Sequence, residues 1–486
     1  MRDIKHIKNY LIGSLIMAAV GIFSVPLLVR LLTQTEFGRW ALLEPLLLIG
    51  SQLALLGLSS GIIKLISLDG LVPWVATRAI LKTGWLPAFL VAISCAFIVR
   101  YVGYSLREAL YLFLAILTDA FVMIVMNALR ASHASFAFGA TQSVRGVLSI
   151  TPLIAAIYGV LNVDEVSDVL IIRLVSGTLA SWLGFWLMRR IQSASDPPIE
   201  QTRPMKDMEV YWVALCYGFP LLVTALLTLT MDYFSRYLLA AYIDIALLAQ
   251  YVVYTKFVSG FSLIIVTPFS LWWPTERFRR LRKSDGGRGY FSWVALIFLM
   301  VLLAAAGTVW LVSGFLLVLF APSMPDFPML IGLLLLGAVF AGMAYPLNVG
   351  LLNEGKTHYN IYTTLIGAIA NILLCVALVP RFGMIGAASA TMLSYFVYTL
   401  IILFLSQKVY YVPFAYNKML LLGAGAVGIL QLVAYFIPST EYPSLMARIF
   451  LFLLGLFLMS LPLYYKLYRW KRGLGGSLDW PAAKGK

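Results

Sequence analysis

Apolar runs of about twenty residues recur along the whole chain, parted by short polar segments that hold most of the charge. Wound as a helix at about 1.5 Å per residue, such a run matches a bilayer core about 30 Å thick. Only helices and closed barrels satisfy their backbone in lipid. Barrel strands would alternate every second residue, and these runs do not. The chain is 61% hydrophobic and 12% charged, against roughly 25% charged in a soluble domain. That surplus of apolar surface exceeds what one aqueous core hides. The fold class is therefore all-α: a polytopic membrane protein with about fourteen transmembrane helices.

The predicted spans are 10–32, 40–63, 84–102, 109–129, 139–159 and 168–188, then 211–231, 247–271, 291–311, 327–352, 359–379 and 384–405, and finally 419–437 and 445–467. The first is too long for a signal-peptide core and has no small-residue cleavage site before Thr33. Between the sixth and seventh lies a polar stretch with Pro197, Pro198 and Pro204, which reads as a linker. The predicted organisation is an N-terminal lobe over 1–190, a cytoplasmic linker over 191–210 and a C-terminal lobe over 211–407. Two further helices and a cytoplasmic tail fill 408–486.

Net charge is +15. The cations sit in short clusters between apolar runs, the pattern of the positive-inside rule and not of a nucleic-acid partner. With both termini in the cytoplasm, the large majority of the 36 Lys and Arg fall on that side. The densest cluster holds Arg277, Arg279, Arg280, Arg282 and Lys283. Outer loops are short, leaving no domain there for an active site. There is no Walker A motif, HExxH or GxSxG, so the chain reads as a non-enzyme with no cofactor. His6, His133 and His358 lack partners at ligand spacing, and Cys95, Cys216 and Cys375 are far apart. Neither a metal site nor a disulfide is expected.

Several stretches resemble the Wzx-type polysaccharide flippases of the MOP (multidrug/oligosaccharidyl-lipid/polysaccharide) transporter superfamily. Pro26-Leu-Leu-Val-Arg30 through Glu36-Phe37-Gly38-Arg39-Trp40 looks like the end of their first helix and its outer turn. Gln52-Leu-Ala-Leu-Leu-Gly57-Leu-Ser-Ser-Gly61-Ile-Ile-Lys64 looks like their second helix. Met231-Asp232-Tyr-Phe-Ser-Arg236 through Ala249-Gln250-Tyr251 resembles the opening of their second lobe. Asn353-Glu-Gly355-Lys356 and Pro380-Arg-Phe-Gly383-Met-Ile-Gly386-Ala387-Ala388 resemble their late region. The resemblance spans nearly the whole chain, carried by the order and spacing of individually weak motifs. It implies two six-helix lobes around a central cavity that opens alternately to either side of a bacterial cytoplasmic (inner) membrane. It also implies a substrate: undecaprenyl-pyrophosphate-linked oligosaccharide repeat units for exopolysaccharide, capsule or O-antigen. Implied partners are membrane lipids, H⁺ or Na⁺ as coupling ion, and polysaccharide polymerase with other assembly proteins.

An ionisable side chain deep in a span costs roughly 2.5–3.5 kcal/mol on insertion scales and usually faces protein or water. Arg30, Lys256, Arg145 and Arg173 are candidate cavity cations for an anionic diphosphate. The bland alternatives are snorkelling for Arg30, Arg145 and Arg173, and interhelical pairing with Asp119. Asp119, Asp232, Arg236 and Glu44 are candidate coupling or gating groups. Asp232 and Arg236, four apart, form either a local ion pair or a gate. Pro26, Pro45, Pro152, Pro220, Pro268 and Pro346 lie inside spans as kinks or hinges. Trp40, Trp74, Trp212, Trp272, Trp273, Tyr410 and Tyr411 read as interfacial anchors. Trp182, Trp186 and Tyr251 lie at depth as candidates for sugar stacking.

Rival readings within the superfamily are a lipid II flippase and a cation-coupled drug antiporter. The latter needs cavity anions for organic cations, whereas cations dominate at depth here. A polysaccharide polymerase or ligase would need a large outer loop, which is absent from the predicted topology.

Overall fold

The computed structural model describes residues 20–21, 23–67, 69–193, 205–281, 288–322, 324–353, 359–436 and 442–471. Among the described residues there is no strand. Ten helices among the described residues are long and apolar enough to cross a membrane, and one bent pair, counted as one span, makes eleven. Contacts divide the chain into two compact units, Met1–Val252 and Val253–Lys486.

The first unit begins with α1 (23–31), at the end of the first predicted span, of which 10–19 and 22 lie outside the described residues. Then come α2 (Gln34–Leu55), α3 (Leu58–Ser67), α4 (Pro73–Tyr101), α5 (Leu106–Ala131), α6 (Ser135–Ile157), α7 (Val166–Ser193) and α8 (Asp207–Tyr242). Helix starts follow from capping chemistry. Thr33 accepts from the Glu36 N–H at 3.2 Å to open α2. Ser105 and Glu108 form a reciprocal capping box at α5: Glu108 donates its N–H to Ser105 Oγ and accepts from the Ser105 N–H at 2.6 Å.

The predicted second span is not one straight helix. Leu56 (φ 48°) and Gly57 (φ 88°) are left-handed, and α2 meets α3 at a 49° bend. The break falls there and not at Pro45, which α2 absorbs, as α6, α8 and α12 absorb Pro152, Pro220 and Pro346. Gly57 allows close approach as well as the turn. A Cβ on Gly218 of α8 would collide with the Gly57 carbonyl, and one on Gly61 would collide with the Ala214 backbone. α3 and α8 thus pack backbone to backbone, and α8 also packs on α2 and α4. That seam is why α8 belongs to the first unit, and why the contact division falls at Val252, later than the polar stretch 191–210. Most of that stretch lies outside the described residues.

α9 (Ile245–Phe261) crosses the division and runs through a π turn at Ser262–Val266 into α10 (Thr267–Leu281). The second unit continues with α11 (Arg288–Phe320), α12 (Pro328–Leu347), α13 (Val349–Asn353), α14 (Tyr359–Val409), α15 (Tyr416–Phe436) and α16 (Tyr442–Lys471). α11 is longer than the predicted 291–311, its apolar run continuing to Phe320.

α14 spans 51 residues, which would extend about 77 Å if straight, more than twice a bilayer core. It is instead a helical hairpin. Gly383 turns at φ 54° and ψ −128°, a conformation open to glycine and costly for other residues. Asn371 Nδ2 donates to Ser394 Oγ at 3.0 Å across the fold, so 371 and 394 sit at one level. Both arms therefore match the two predicted spans 359–379 and 384–405. With α16, whose apolar stretch is Leu445–Leu461, thirteen of the fourteen predicted runs have their helix, and α1 lies at the end of the first.

The α14 hairpin packs on α12, α12 packs on α11, and α15 and α16 pack on each other and on α11. These contacts leave an apolar cavity of about 390 Å³ within the second unit, lined by Trp310, Met329, Leu336, Val427, Leu430 and Phe452 among others. The aromatic expectations divide. Trp212 and Trp272 are exposed, as anchors should be, but Trp40 and Trp273 are buried core. Trp182 and Trp186 are exposed, whereas Tyr251 is fully buried, its hydroxyl 3.1 Å from Ser235 Oγ.

Candidate functional site

The first unit gathers ionisable side chains from α2, α5, α6, α7 and α8 at membrane depth. Asp119 sits midway along α5 with 6% of its side chain exposed. Two arginines from neighbouring helices share it. Arg145 of α6 donates Nη2 to Asp119 Oδ1. Arg173 of α7 donates Nε at 3.2 Å and Nη2 at 3.0 Å to Oδ2. Helix spacing makes the meeting feasible. Gly177, one turn beyond Arg173, has no side chain where a Cβ would come within 2.9 Å of Thr118. One turn beyond Arg145, Ser149 Oγ donates to Ser176 Oγ at 3.0 Å.

A second pair lies nearby. Arg236 of α8, 3% exposed, reaches Glu44 of α2 at 3.4 Å and stacks over the Tyr233 ring at 4.7 Å. Tyr237 donates its hydroxyl to the Leu42 carbonyl at 3.1 Å, tying α8 to α2. Glu44 and Tyr233 both lie within electrostatic reach of Arg173. The pair and the Asp119 trio therefore form one electrostatic neighbourhood.

The trio carries one negative and two positive charges. Its exposure is uneven: Arg173 keeps 28% of its side chain accessible and Arg145 15%. Its two arginines outnumber its one carboxylate, and the arginines are its more accessible members. Such a site attracts anions by charge-assisted hydrogen bonds, and arginine offers them a two-pronged fork.

The structure brings five of the eight sequence candidates together: Glu44, Asp119, Arg145, Arg173 and Arg236. Asp232 also reaches Tyr233 electrostatically. Arg30, on α1, is exposed, and Lys256, on α9, is half-buried. Pairing of Asp119 with cations on other helices, one of the bland readings, is what the coordinates display. Arg236 likewise has a partner on a different helix, Glu44.

Sequence reasoning missed a further cluster, at the end of the first unit where α2 begins. Arg39 donates to Glu36 at 2.8 Å and to Glu108 at 3.0 Å, and its guanidinium lies 4.7 Å over the Tyr104 ring. Tyr104 donates back to the Arg39 carbonyl at 3.1 Å, and Glu36 accepts the Val166 N–H of α7 at 3.1 Å. Burial pushes the Tyr104 phenol up to about 12, so it is an uncharged donor at physiological pH. The Ser105-x-x-Glu108 capping signature was the available signal. Among the described residues, no group of three His, Cys, Asp or Glu converges to hold a metal ion.

The run of long apolar helices makes this a multi-pass membrane protein, and its fold is similar to that of solved transporters. The structure is similar to that of the lipid II flippase MurJ in an inward closed conformation, with TM-score 0.67 and 16% identity over 95% of this chain and 99% of that one. It is also similar to a MATE transporter of Vibrio cholerae, with TM-score 0.59 and 14% identity over 83% of this chain and 95% of that one. An outward-facing multidrug resistance MATE family transporter of the MOP superfamily gives TM-score 0.50 and 14% identity over 82% and 95%. At these identities the likeness is one of fold. No family model and no curated protein matches the sequence.

Proposed function

We propose that this chain is a flippase that moves undecaprenyl-pyrophosphate-linked oligosaccharide units from the cytoplasmic to the outer leaflet of a bacterial inner membrane. Transport proceeds by alternating access, for exopolysaccharide, capsule or O-antigen synthesis. The observation that carries this reading is coverage. The likeness to the lipid II flippase MurJ takes in 95% of this chain, whereas the likeness to the Vibrio cholerae MATE transporter takes in 83%.

Two features of the chain support it. The accessible side of the Asp119 cluster is cationic, which suits a diphosphate and repels an organic cation. The apolar cavity among α11, α12, α15 and α16 is of a chemistry that suits an isoprenoid chain. In this reading Arg145 and Arg173 hold the diphosphate, Arg30 and Lys256 guide it, and Glu44, Asp119, Asp232 and Arg236 serve coupling or gating. The bias of Lys and Arg toward one set of loops supports cytoplasmic termini. The membrane potential, worth roughly 2.3 kcal/mol per charge at 100 mV, is a sufficient drive for H⁺ or Na⁺ coupling.

The test is deletion followed by leaflet analysis. Loss of the protein is expected to trap lipid-linked repeat units on the inner leaflet. Arg30→Ala or Lys256→Ala is expected to abolish export at unchanged protein level; full export by both removes their assigned role. The likeness to MurJ favours lipid II as the second substrate reading. Rescue of growth in cells depleted of their lipid II flippase would replace the first reading with that one.

A further inference from the structure

We propose that Asp119 is a resident counter-ion, which the diphosphate of the substrate displaces from Arg145 and Arg173. The inference rests on the flippase reading and adds to it where the anion docks and what makes way for it.

The geometry is that of an occupied anion clamp. Two guanidiniums from different helices converge on the two separate oxygens of one carboxylate, Arg145 on Oδ1 and Arg173 on Oδ2. A phosphate presents oxygens to the same forks in the same charge-assisted way and offers more of them. Charge then sets the direction of exchange. One carboxylate against two guanidiniums leaves the three side chains with one excess positive charge, which Glu44 within reach of Arg173 offsets only in part.

Exposure sets the order of events. Asp119 is 6% exposed and Arg173 is 28% exposed. An arriving anion meets Arg173 first and bridges to Arg145 as Asp119 yields its bonds. Glu44 within reach of Arg173 opposes the anion at long range, which favours its release once the cluster is rearranged. No covalent step is involved. Asp119 resets the empty carrier by closing on both arginines again, so they are never left bare in a low-dielectric interior.

Binding of inorganic pyrophosphate to the purified full-length protein in phosphatidylcholine nanodiscs tests this, read by calorimetry and by the rise in unfolding temperature. Wild type is expected to bind. Arg173→Gln leaves Asp119–Arg145 as a neutral pair. It is expected to unfold near the wild-type temperature and to lose at least about tenfold in pyrophosphate affinity. Asp119→Asn removes the competitor and is expected to gain at least about tenfold.

Equal binding by wild type and Arg173→Gln overturns the proposal, and so does weaker binding by a folded Asp119→Asn. A collapsed unfolding temperature in Arg173→Gln, with no pyrophosphate effect on wild type, marks the cluster as a structural staple and also overturns it. Nanodiscs with phosphatidylglycerol separate the two sources of phosphate. Undiminished pyrophosphate binding there supports a diphosphate ligand, and competition by that lipid reassigns the site to a headgroup and overturns the proposal. None of these outcomes touches the flippase reading, which is decided by leaflet trapping in cells.

Discussion

Gly57 and Gly218 meet backbone to backbone, with no room at either for a methyl group. The contact fastens the bent tip of the α2–α3 pair to α8, and Gly61 against Ala214 repeats it one turn on. Small residues let membrane helices approach closely, where dispersion and backbone contacts replace an absent hydrophobic drive. A side chain there must force the helices apart. Gly218→Val is expected to lower stability by about 1–3 kcal/mol, the usual cost of overpacking. Gly428→Ala on α15, with nothing within 4 Å, is the control. It is expected to be neutral or up to about 1 kcal/mol stabilising through helix propensity. Thermal unfolding of both in one detergent decides the matter, and equal losses would remove the seam from the account.

The Asn371–Ser394 bond allows a similar test of the α14 hairpin. Both residues are fully buried, so deleting Ser394 strands the Asn371 amide N–H, while Ser394 keeps its bond to the Thr391 carbonyl. Asn371→Leu and Ser394→Ala are each expected to cost about 1–3 kcal/mol. The double variant is expected to cost less than the sum, because no stranded group remains. Strict additivity in denaturation would mean that the two side chains do not share a bond.

The spans were legible because one physical demand, burying about twenty residues in lipid, writes itself into every run. The α14 turn was legible too, as the Pro380 to Gly383 gap between two runs. The bend at Leu56–Gly57 was not. Nothing apolar is interrupted there, and Leu56 gives no turn signal although it adopts φ 48°. The membership of α8 was also hidden. Proline and charge mark 191–210 as a connection, but which unit a helix joins depends on glycines facing each other across 161 positions, from Gly57 to Gly218. Depth in a span marked Asp119, Arg145 and Arg173 as candidates. Their convergence on one carboxylate needed three helices in place. Arg39 escaped notice because it lies near a span end, where cations are cheap.

Cysteine accessibility offers a check on packing that needs no substitution. Cys95 and Cys375 are buried and Cys216 is exposed. A Cβ on Gly50 would come within 3.3 Å of Cys95 Sγ, and Cys375 donates to Asn371 Oδ1 at 3.8 Å. A small membrane-permeant maleimide on the folded protein is expected to modify Cys216 first, and the other two only on unfolding. Mass spectrometry of time points reads this directly. Early modification of Cys375 would contradict the hairpin, since that thiol is buried against Asn371, whose amide joins the two arms.

The Arg39 cluster is expected to act on stability and not on transport. Arg39 binds Glu36 on its own helix and Glu108 at the start of α5, and Glu36 in turn caps α7 through the Val166 N–H. One guanidinium thereby ties three helix starts together. Breaking a buried pair costs about 3–5 kcal/mol, because the remaining charge is left uncompensated. Arg39 keeps 28% of its side chain accessible, so water relieves part of that cost and the exposed-pair scale of about 0–1 kcal/mol pulls the figure down. Arg39→Ala is therefore expected to cost about 2 kcal/mol, and Arg39→Lys about half of that. A lysine keeps the charge but cannot bond both carboxylates from a planar fork. Glu108→Gln separates the two roles of that carboxylate. The amide oxygen still accepts the Ser105 N–H, so the cap survives while the ion pair is lost. Its cost is expected to fall below that of Arg39→Ala. Under the proposed flippase function, export measured per folded molecule is expected to stay at the wild-type level in all three variants. A variant that unfolds normally but fails to export would move Arg39 from the scaffold into the transport site.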